Sequence, residues 1–417
     1  MDFPIIRIKG GIGAPKGFLT SAVGCGIKNP EATRLDLALV HSEHPCTSAG
    51  TFTTNRVKAA PVRVSQSHLR RGEIRTIVAN SGNANACTGV QGVRDANAMC
   101  DAVAKPLGLK RADVGVCSTG VIGLPMPMMR IDPRFPDLHA GLARGRGGDV
   151  ANAILTSDTR AKELAISFDL GGTRVRIGGC VKGAGMICPS MATMLCFITT
   201  DANITQDCLR KAVLECVEES FNRITIDGDM STNDTVLVLA NGASGMSPVR
   251  RNGKRCRQFR DALKHLMLEL AKAIVRDGER VTRFVTVRVE GARTYLDAKK
   301  VAEAVCKSAL VKSSWNGGDP NWGRIIHAVG YSQARIREEL IDIHIGGKPA
   351  CLGGLQATTP MDTLRAVVAE PEFEIAINLN QGDAAYTMYS SDLSPEYVDF
   401  NRSEYAYWKQ ARKDGLV

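Results

Sequence analysis

Apolar and polar positions follow two different periods along this chain. Residues 35–42 and 76–82 are apolar and β-prone and end in turn residues, which predicts strands. Within residues 96–108 and 204–223 the apolar positions recur at helical spacing, which predicts amphipathic helices. Strands and helices therefore alternate, as is typical of a mixed α/β (α+β) protein.

Signals at the ends of helices, and shorter helices and strands after about residue 290, indicate how the chain is divided into domains. Thr205 is placed as an N-cap with Asp207 in the first turn. A second helix is predicted through residues 257–278, where it stops at Gly278. A half-buried strand follows over residues 282–291. The pattern then repeats in smaller form, with a helix through residues 298–311 and strands near residues 341–347 and 373–380. We expect a core domain over residues 1–288 and a smaller α/β domain over residues 289–417.

Composition favours a compact globular protein, with 417 residues of which 44% are hydrophobic and 23% charged. No run approaches the roughly 20 apolar residues of a membrane span. The start of the chain carries Asp2 and Arg7 and lacks an apolar stretch of signal-peptide length, so a cytoplasmic protein without a membrane partner is expected. The net charge of +10 is spread along the chain, and the densest basic run, residues 250–257, is predicted as a surface turn. No aromatic platform accompanies it, so no nucleic-acid partner is expected.

Cysteine and glycine patterns offer two further candidate sites. Cys180, Cys188 and Cys196 surround one central segment, where they suit either a metal site or small buried hydrophobes; burial is favoured, and no metal or cofactor is expected. The run GGIGAPKG at residues 10–17 follows a short apolar stretch, as in a dinucleotide-binding turn. No helix clearly follows it, so a mobile loop is predicted instead.

The segment KGAGMICPSMATMLCFITTDA, residues 182–202, places Thr193 where a turn-rich loop meets a buried strand. A threonine hydroxyl needs a base within hydrogen-bond reach to act as a nucleophile. If the bond from Ala192 to Thr193 is broken, the new α-amine, with an ordinary pKa of about 7.7–8.0, supplies that base. The threonine itself can make the cut, because its hydroxyl can attack the Ala192 carbonyl to give an ester that water hydrolyses. From spacing alone, an ordinary Ala-Thr pair at a strand start is the favoured interpretation.

The same segment resembles the cleavage-site motif of the ornithine acetyltransferase family, the glutamate N-acetyltransferases of the cyclic arginine pathway. Other segments resemble family blocks in the same order: VANSGNANACTG from residue 78, CSTGVIGLPMP from 117, LTSDT from 155, DGDMSTNDTV from 227, DGERVTRF from 277 and GGDPNWGRIIHAVGYS from 317. The resemblance implies an N-terminal-nucleophile-like layered core with central sheets flanked by helices. It also implies a ping-pong transfer of acetyl from N2-acetylornithine to glutamate through an acyl-threonine.

The resemblance implies catalytic roles for a few positions. Thr193 matches the nucleophile, and Ala192 matches the last residue of the first cleavage fragment. Thr119 and Gly120 match the pair that stabilises the oxyanion through a hydroxyl and a backbone N–H. Such a pair suits both self-cleavage and acyl transfer, because each passes through a tetrahedral anion.

Thr156, Lys182, Glu279 and Asn401, together with the nucleophile, match the family's substrate-binding positions. An amino acid presents a carboxylate and an amine, which call for a cation or hydroxyl and for an anion respectively. Lys182 and Glu279 therefore suit opposing ends of the substrate.

The C-terminal segment departs from the family pattern. A hydroxyl residue is expected shortly after Asn401, but Ala406 or Tyr407 stands near that position. The sequence leaves open whether acetyl-coenzyme A also serves as an acetyl donor. The resemblance implies that the two cleavage fragments stay together as a heterodimer, which assembles further. Two alternatives remain: an N-terminal-threonine aminopeptidase or amidase, and an uncleaved, non-catalytic metabolite-binding protein.

Overall fold

The structure is a computed structural model of the chain and describes residues 3–31, 33–188 and 194–402. Its strands, in chain order, are β1 (Ile6–Ile8), β2 (Phe18–Val23), β3 (Leu37–Ser42), β4 (Thr47–Phe52), β5 (Thr76–Asn83), β6 (Val114–Val121), β7 (Lys162–Asp169), β8 (Arg174–Lys182), β9 (Leu195–Thr200), β10 (Thr235–Ala240), β11 (Phe284–Ala292), β12 (Asp342–Ile345), β13 (Lys348–Leu352), β14 (Leu355–Gln356), β15 (Glu372–Asn378) and β16 (Ala384–Ser391). Its α-helices are α1 (Ala60–Leu69), α2 (Gly89–Ala104), α3 (Met128–Ile131), α4 (Phe135–Ala140), α5 (Gly147–Ala153), α6 (Gln206–Glu218), α7 (Lys254–Arg276), α8 (Tyr295–Lys307), α9 (Ala309–Asn316), α10 (Trp322–Gly330), α11 (Met361–Val368) and α12 (Pro395–Asn401).

The central sheet has the strand order β1-β7-β8-β9-β10-β4. Strands β8 and β9 are antiparallel, whereas β9 and β10 are parallel. Every position of β9 and β10 is buried, as expected for strands that are covered on both faces. The pairing register sets Lys182, at the end of β8, opposite Leu195, at the start of β9. The segment that links these two strands therefore leaves and re-enters the sheet at one end.

Four layers make up the core around this sheet. A second sheet, in the order β2-β3-β5-β6, packs on one face of the central sheet, and side chains of both sheets share one hydrophobic cluster. Helices α6 and α7 cover the other face of the central sheet, and α2 covers the outer face of the second sheet. The layers run helix, sheet, sheet, helix, which confirms the predicted mixed α/β class with central sheets flanked by helices.

The third sheet, β14-β13-β12-β15-β11-β16, packs against helices α8 to α11 over its own hydrophobic cluster. Its strand β11 is parallel to β15 and antiparallel to β16. Residue 289 lies inside β11, whose first residue, Phe284, belongs to the core under the central sheet, while Val285 belongs to the core of the third sheet. The division into domains at residues 288 and 289 stays a prediction.

Several local expectations differ from the structure. Helix α2 begins at Gly89, before the predicted start at residue 96. Thr205 occupies the N-cap of α6, but its hydroxyl donates to Asp207 Oδ1 at 2.7 Å and caps no backbone N–H. The single helix expected over residues 298–311 is two helices, because Ser308 is extended and its side chain accepts from Val311 N to cap α9.

The glycine-rich run at residues 10–17, which the sequence predicts as a mobile loop, contains a 3-10 turn over Gly11–Gly13 with Gly11 and Ile12 buried. A Cβ at Gly178 would lie 2.0 Å from the Gly11 carbonyl oxygen, so only glycine on β8 permits this close approach. The run thus packs against the central sheet.

The three cysteines around the central segment, Cys180, Cys188 and Cys196, are buried. Among the residues that the structure describes, no group of three or more His, Cys, Asp or Glu side chains is placed to hold a metal ion. None of the helices in the described ranges is both long enough and apolar enough to span a bilayer.

Candidate active site

A cavity of about 730 Å³ opens where the ends of β6 and β8 meet the residues that follow α7 and helix α12. It is lined by every sequence-predicted site residue that the structure describes: Thr119, Gly120, Thr156, Lys182, Glu279 and Asn401. Ala192 and Thr193 lie outside the described residues, as do Ala406 and Tyr407. The resemblance therefore selected positions that are far apart in sequence but share one cavity.

Thr119 and Gly120 stand at the end of β6, where it runs parallel to β5. Gly120 has a φ of 136°, and a Cβ there would lie 2.3 Å from the backbone carbon of Gly82, so this position requires glycine. Thr119 is buried, and its Oγ1 accepts a hydrogen bond from Lys182 Nζ at 3.2 Å. A hydroxyl that accepts through one lone pair keeps its O–H for donation. The pair can therefore offer a hydroxyl and a backbone N–H to one developing negative charge.

Lys182 is 2% exposed, and its side chain reaches the cavity from the last position of β8. Burial lowers the pKa of Lys182, while the neighbouring carboxylate of Asp158 acts in the opposite direction. A lysine ammonium donates charge-assisted hydrogen bonds to carboxylates, so Lys182 is suited to bind a substrate carboxylate. The bond to Thr119 also fixes the lysine beside the oxyanion pair.

Glu279 is held against the loop that follows β8. Its backbone N–H donates to the Ala184 carbonyl at 2.8 Å, and a Cβ at Gly185 would lie 2.5 Å from the Glu279 Oε1 atom. Glycine at position 185 therefore allows the carboxylate to lie directly on the loop. Asn401 Nδ2 donates to Glu279 Oε2 at 3.3 Å, which brings the end of α12 to the same place.

Helix α12 is fixed at the cavity by its first turn. The Ser394 hydroxyl accepts from Tyr397 N to cap the helix and donates to the Arg280 carbonyl at 2.8 Å. Tyr397 Oη donates to Asp227 Oδ2 at 3.2 Å. The helix thus contacts segments on two sides of the cavity wall.

Asp227 is a cavity residue to which sequence reasoning gave no role. Its carboxylate accepts from the backbone N–H groups of Met186 at 2.5 Å and Ile187 at 2.9 Å, and so it shapes the loop before the proposed cleavage point. Burial raises the pKa of this carboxyl. The available signal was its position as the first residue of a motif block, DGDMSTNDTV.

Asp234 belongs to the same block and directly precedes β10, where it lies beside Met194. The Met194 N–H donates to Asp234 Oδ1 at 3.0 Å. Burial raises the pKa of this carboxyl well above its ordinary value. Met194 directly follows Thr193 in the sequence, so this buried acid supports the chain one residue after the proposed nucleophile.

Charges of both signs line the cavity. Lys28 and Arg34 come from the loop between β2 and β3, and Arg34 Nη2 donates to Ser81 Oγ at 3.2 Å. Asp227, Asp229 and Glu279 supply acidic groups from other segments. A ligand with both carboxylate and ammonium groups would find complementary partners here.

A layered α/β core in which a threonine–glycine pair, a lysine and a carboxylate face one cavity is suited to an acyl-transferring enzyme. A sequence model of the ArgJ family matches residues 19–406. A curated relative from Symbiobacterium thermophilum, named arginine biosynthesis bifunctional protein ArgJ, is 44% identical over 95% of this chain and 98% of its own length. A relative of the same name from Geobacter sulfurreducens is 45% identical over 93% of this chain and 98% of its own length.

The chain belongs to the ArgJ family. This confirms the predicted resemblance and, with it, the prediction of an acyltransferase enzyme. Among solved structures, ArgJ from Bacillus halodurans is 38% identical with a TM-score of 0.48, covering 50% of this chain and 98% of that one. Ornithine acetyltransferase from Mycobacterium tuberculosis, complexed with ornithine, is 34% identical with a TM-score of 0.41, covering 46% of this chain and 100% of that one.

Proposed function

We propose that this chain is a self-processing acetyltransferase that moves the acetyl group of N2-acetylornithine to glutamate in arginine biosynthesis. The observation that carries the proposal is the convergence of Thr119, Gly120, Lys182 and Glu279 on one cavity. Chain connectivity adds support, because Thr193 is two residues before Leu195, which pairs with Lys182 across β8 and β9.

In the first step the Thr193 hydroxyl adds to the Ala192 carbonyl. The tetrahedral anion is stabilised by the Thr119 hydroxyl and the Gly120 N–H. The Thr193 nitrogen then leaves with the hydroxyl proton, so that an ester replaces the amide. Water hydrolyses this ester, which gives a free Ala192 carboxylate and a threonine with both a free amine and a free hydroxyl.

In the transfer reaction the free amine of Thr193 takes the proton of its hydroxyl, which attacks the acetyl carbonyl of N2-acetylornithine. The amide bond breaks, the ornithine α-nitrogen takes the proton, and ornithine leaves an acetyl ester on Thr193. The α-amine of glutamate then attacks this ester through a second tetrahedral anion. The threonine hydroxyl is regenerated, and acetylglutamate leaves.

Substrate binding follows from the charges of the cavity. Lys182 binds the α-carboxylate, which both substrates share. Glu279 and Asn401 bind the nitrogen end of the substrate. Thr156 supplies a further polar contact. A common α-amino-acid site explains how one cavity can serve donor and acceptor in turn.

In this proposal the active unit is the pair of cleavage fragments, which remain assembled as a heterodimer and associate further. Their assembly is tested by native mass measurement of the purified protein, which should give at least one copy of each fragment in every particle. Free single fragments would contradict it.

The proposal is tested by intact-mass measurement under denaturing conditions together with an acetyl-transfer assay. The wild-type chain should give two fragments that meet between Ala192 and Thr193, and it should form acetylglutamate from N2-acetylornithine and glutamate. Thr193→Ala should give one uncut, inactive chain. Thr205→Ala, which changes an N-cap threonine on α6, is the matched control and should behave like the wild type.

Other outcomes would favour the rival functions. Free acetate without acetylglutamate would indicate a threonine hydrolase. An uncut wild-type chain without transfer would indicate a metabolite-binding protein. A further assay with acetyl-coenzyme A and glutamate tests whether acetyl-coenzyme A is a second acetyl donor.

A further inference from the structure

A chain of three buried ionised groups lies behind the cavity without lining it. Lys162 Nζ is 2.6 Å from Asp158 Oδ1 and 2.5 Å from Asp277 Oδ2. The side chains are 0% exposed for Asp158, 1% for Lys162 and 3% for Asp277. Removing one member of such a group leaves a buried charge uncompensated, so the three are interdependent.

Asp158 holds two cavity residues through their backbones. Its Oδ2 accepts from the Thr156 N–H at 3.0 Å, and its Oδ1 accepts from the Gly183 N–H at 2.8 Å. Gly183 directly follows Lys182. One carboxylate therefore fixes both the loop that carries Thr156 and the end of the strand that carries Lys182.

Asp277 extends the same anchor to the other side of the cavity. It accepts from the Thr159 backbone N–H at 3.2 Å and also from the Thr159 hydroxyl. Two residues further on, Glu279 donates its backbone N–H to Ala184 at 2.8 Å. At one end of the ion chain, Asp158 is two residues from Thr156, and at the other end Asp277 is two residues from Glu279.

Asp158 and Lys162 also act on the pKa of Lys182. Burial lowers the pKa of Lys182; Asp158 raises it, Lys162 lowers it, and Glu279 and Asp234 raise it to a smaller extent. These groups face Lys182 from the loop before β7, from β7, from the segment after α7 and from the residue before β10. Asp158 and Lys162 therefore act on Lys182 in opposite directions.

We propose that the chain Asp158–Lys162–Asp277 positions the substrate-binding wall of the cavity and that Asp158 is the counter-charge of Lys182. Neither role requires contact with substrate, so these are positioning residues. The inference rests on the proposed acetyl transfer, in which Lys182 must be cationic to bind the α-carboxylate.

The test compares the pH profiles of kcat/KM for glutamate in the wild type, Asp158→Asn and Lys162→Met. The alkaline limb of each profile is expected where Lys182 loses its proton and no longer binds the α-carboxylate. Asp158→Asn removes the negative neighbour of Lys182, so this limb should move to lower pH. Lys162→Met removes a positive neighbour at similar side-chain volume, so the limb should move to higher pH. At the wild-type optimum, kcat/KM for Asp158→Asn should fall about 10-fold or more, mainly through KM.

The matched control is Asp201→Asn. Asp201 is also buried, and it also accepts two backbone N–H groups, from Lys16 and Arg176. Because Arg176 is near the start of β8 and Lys182 is at its end, this variant should leave the alkaline limb where it is.

Opposite movement of the two limbs supports the inference, because a purely structural defect would not reverse sign with the charge removed. Limbs that stay unchanged, or that move in the same direction, would overturn it. If Asp158→Asn does not fold, Lys162→Met alone decides, and an unchanged or lowered limb refutes the inference. Absence of acetyl transfer in the folded wild type would instead refute the proposed function.

Discussion

Replacing Thr119 by valine removes one hydroxyl while nearly preserving side-chain shape. Thr119 is 3% exposed, and its Oγ1 accepts from Lys182 Nζ at 3.2 Å. The proposed mechanism gives this hydroxyl a second task, donation to the anion formed in cleavage and in transfer. Thr119→Val should therefore affect catalysis and stability by separate amounts.

The expected magnitudes follow from the two interactions lost. Loss of one oxyanion donor costs about 2.7–4 kcal/mol in the transition state, or about 10²–10³ in rate. Loss of the acceptor for a buried lysine costs about 1–3 kcal/mol of folding free energy. No cavity is created, because valine fills the space of threonine. A folded protein that cleaves and transfers slowly is the expected result.

The assay follows the uncut chain by intact mass over time and then measures acetylglutamate formation by the fraction that has been cut. Thr119→Ser, which keeps the hydroxyl, is the matched control and should stay within a few-fold of wild type. Wild-type rates of both cleavage and transfer in a folded Thr119→Val protein would refute the role of this hydroxyl.

Two further predictions concern the cavity wall and acid stability. Tyr397→Phe removes the hydrogen bond from Oη to Asp227 that fixes α12. In steady-state kinetics, KM for both amino acids should rise about 5-fold, as for a loss of about 1 kcal/mol, while kcat changes little. An unchanged KM would contradict this prediction. Burial acts to raise the pKa of Asp158, but Lys182 and Lys162 hold it below its ordinary value. The folded state therefore takes up fewer protons than the unfolded chain in acid, so the free energy of unfolding should decrease as pH falls below about 5. Urea titrations should find a smaller decrease in Asp158→Asn, and an equal decrease would count against the paired state of this carboxylate.

Local periodicity was sufficient for the long elements of the fold. Helices α6 and α7 and strand β11 lie where their apolar spacing predicted them, because each turns one continuous face to a core. Ser308 interrupts a run that is apolar on both sides, so its cap was not visible in the periodicity. The turn at Gly11 depends on the absence of a side chain at Gly178, which is a contact between distant segments.

The site shows a similar division. Thr119 and Lys182 are 63 residues apart in sequence, and only the resemblance placed them together. Asp158 and Asp277 lie in two of the segments that resemble the family, but no local pattern predicted that they would be buried together with Lys162. Their burial results from the pairing of β7 with β8 and from the packing of α7 against both strands. Side chains that meet through sheet pairing leave no signal in the local pattern.

The strand order of the central sheet has a consequence for a chain cut after residue 192. Strands β9 and β10 would belong to the second fragment, yet they lie between β8 and β4, which would belong to the first. Each fragment alone would then leave unpaired strand edges in the middle of the sheet. The two pieces would be interleaved rather than docked, so separating them would amount to unfolding. Fragments produced as two separate chains would have to fold together, and dilution of the cut protein should not release them.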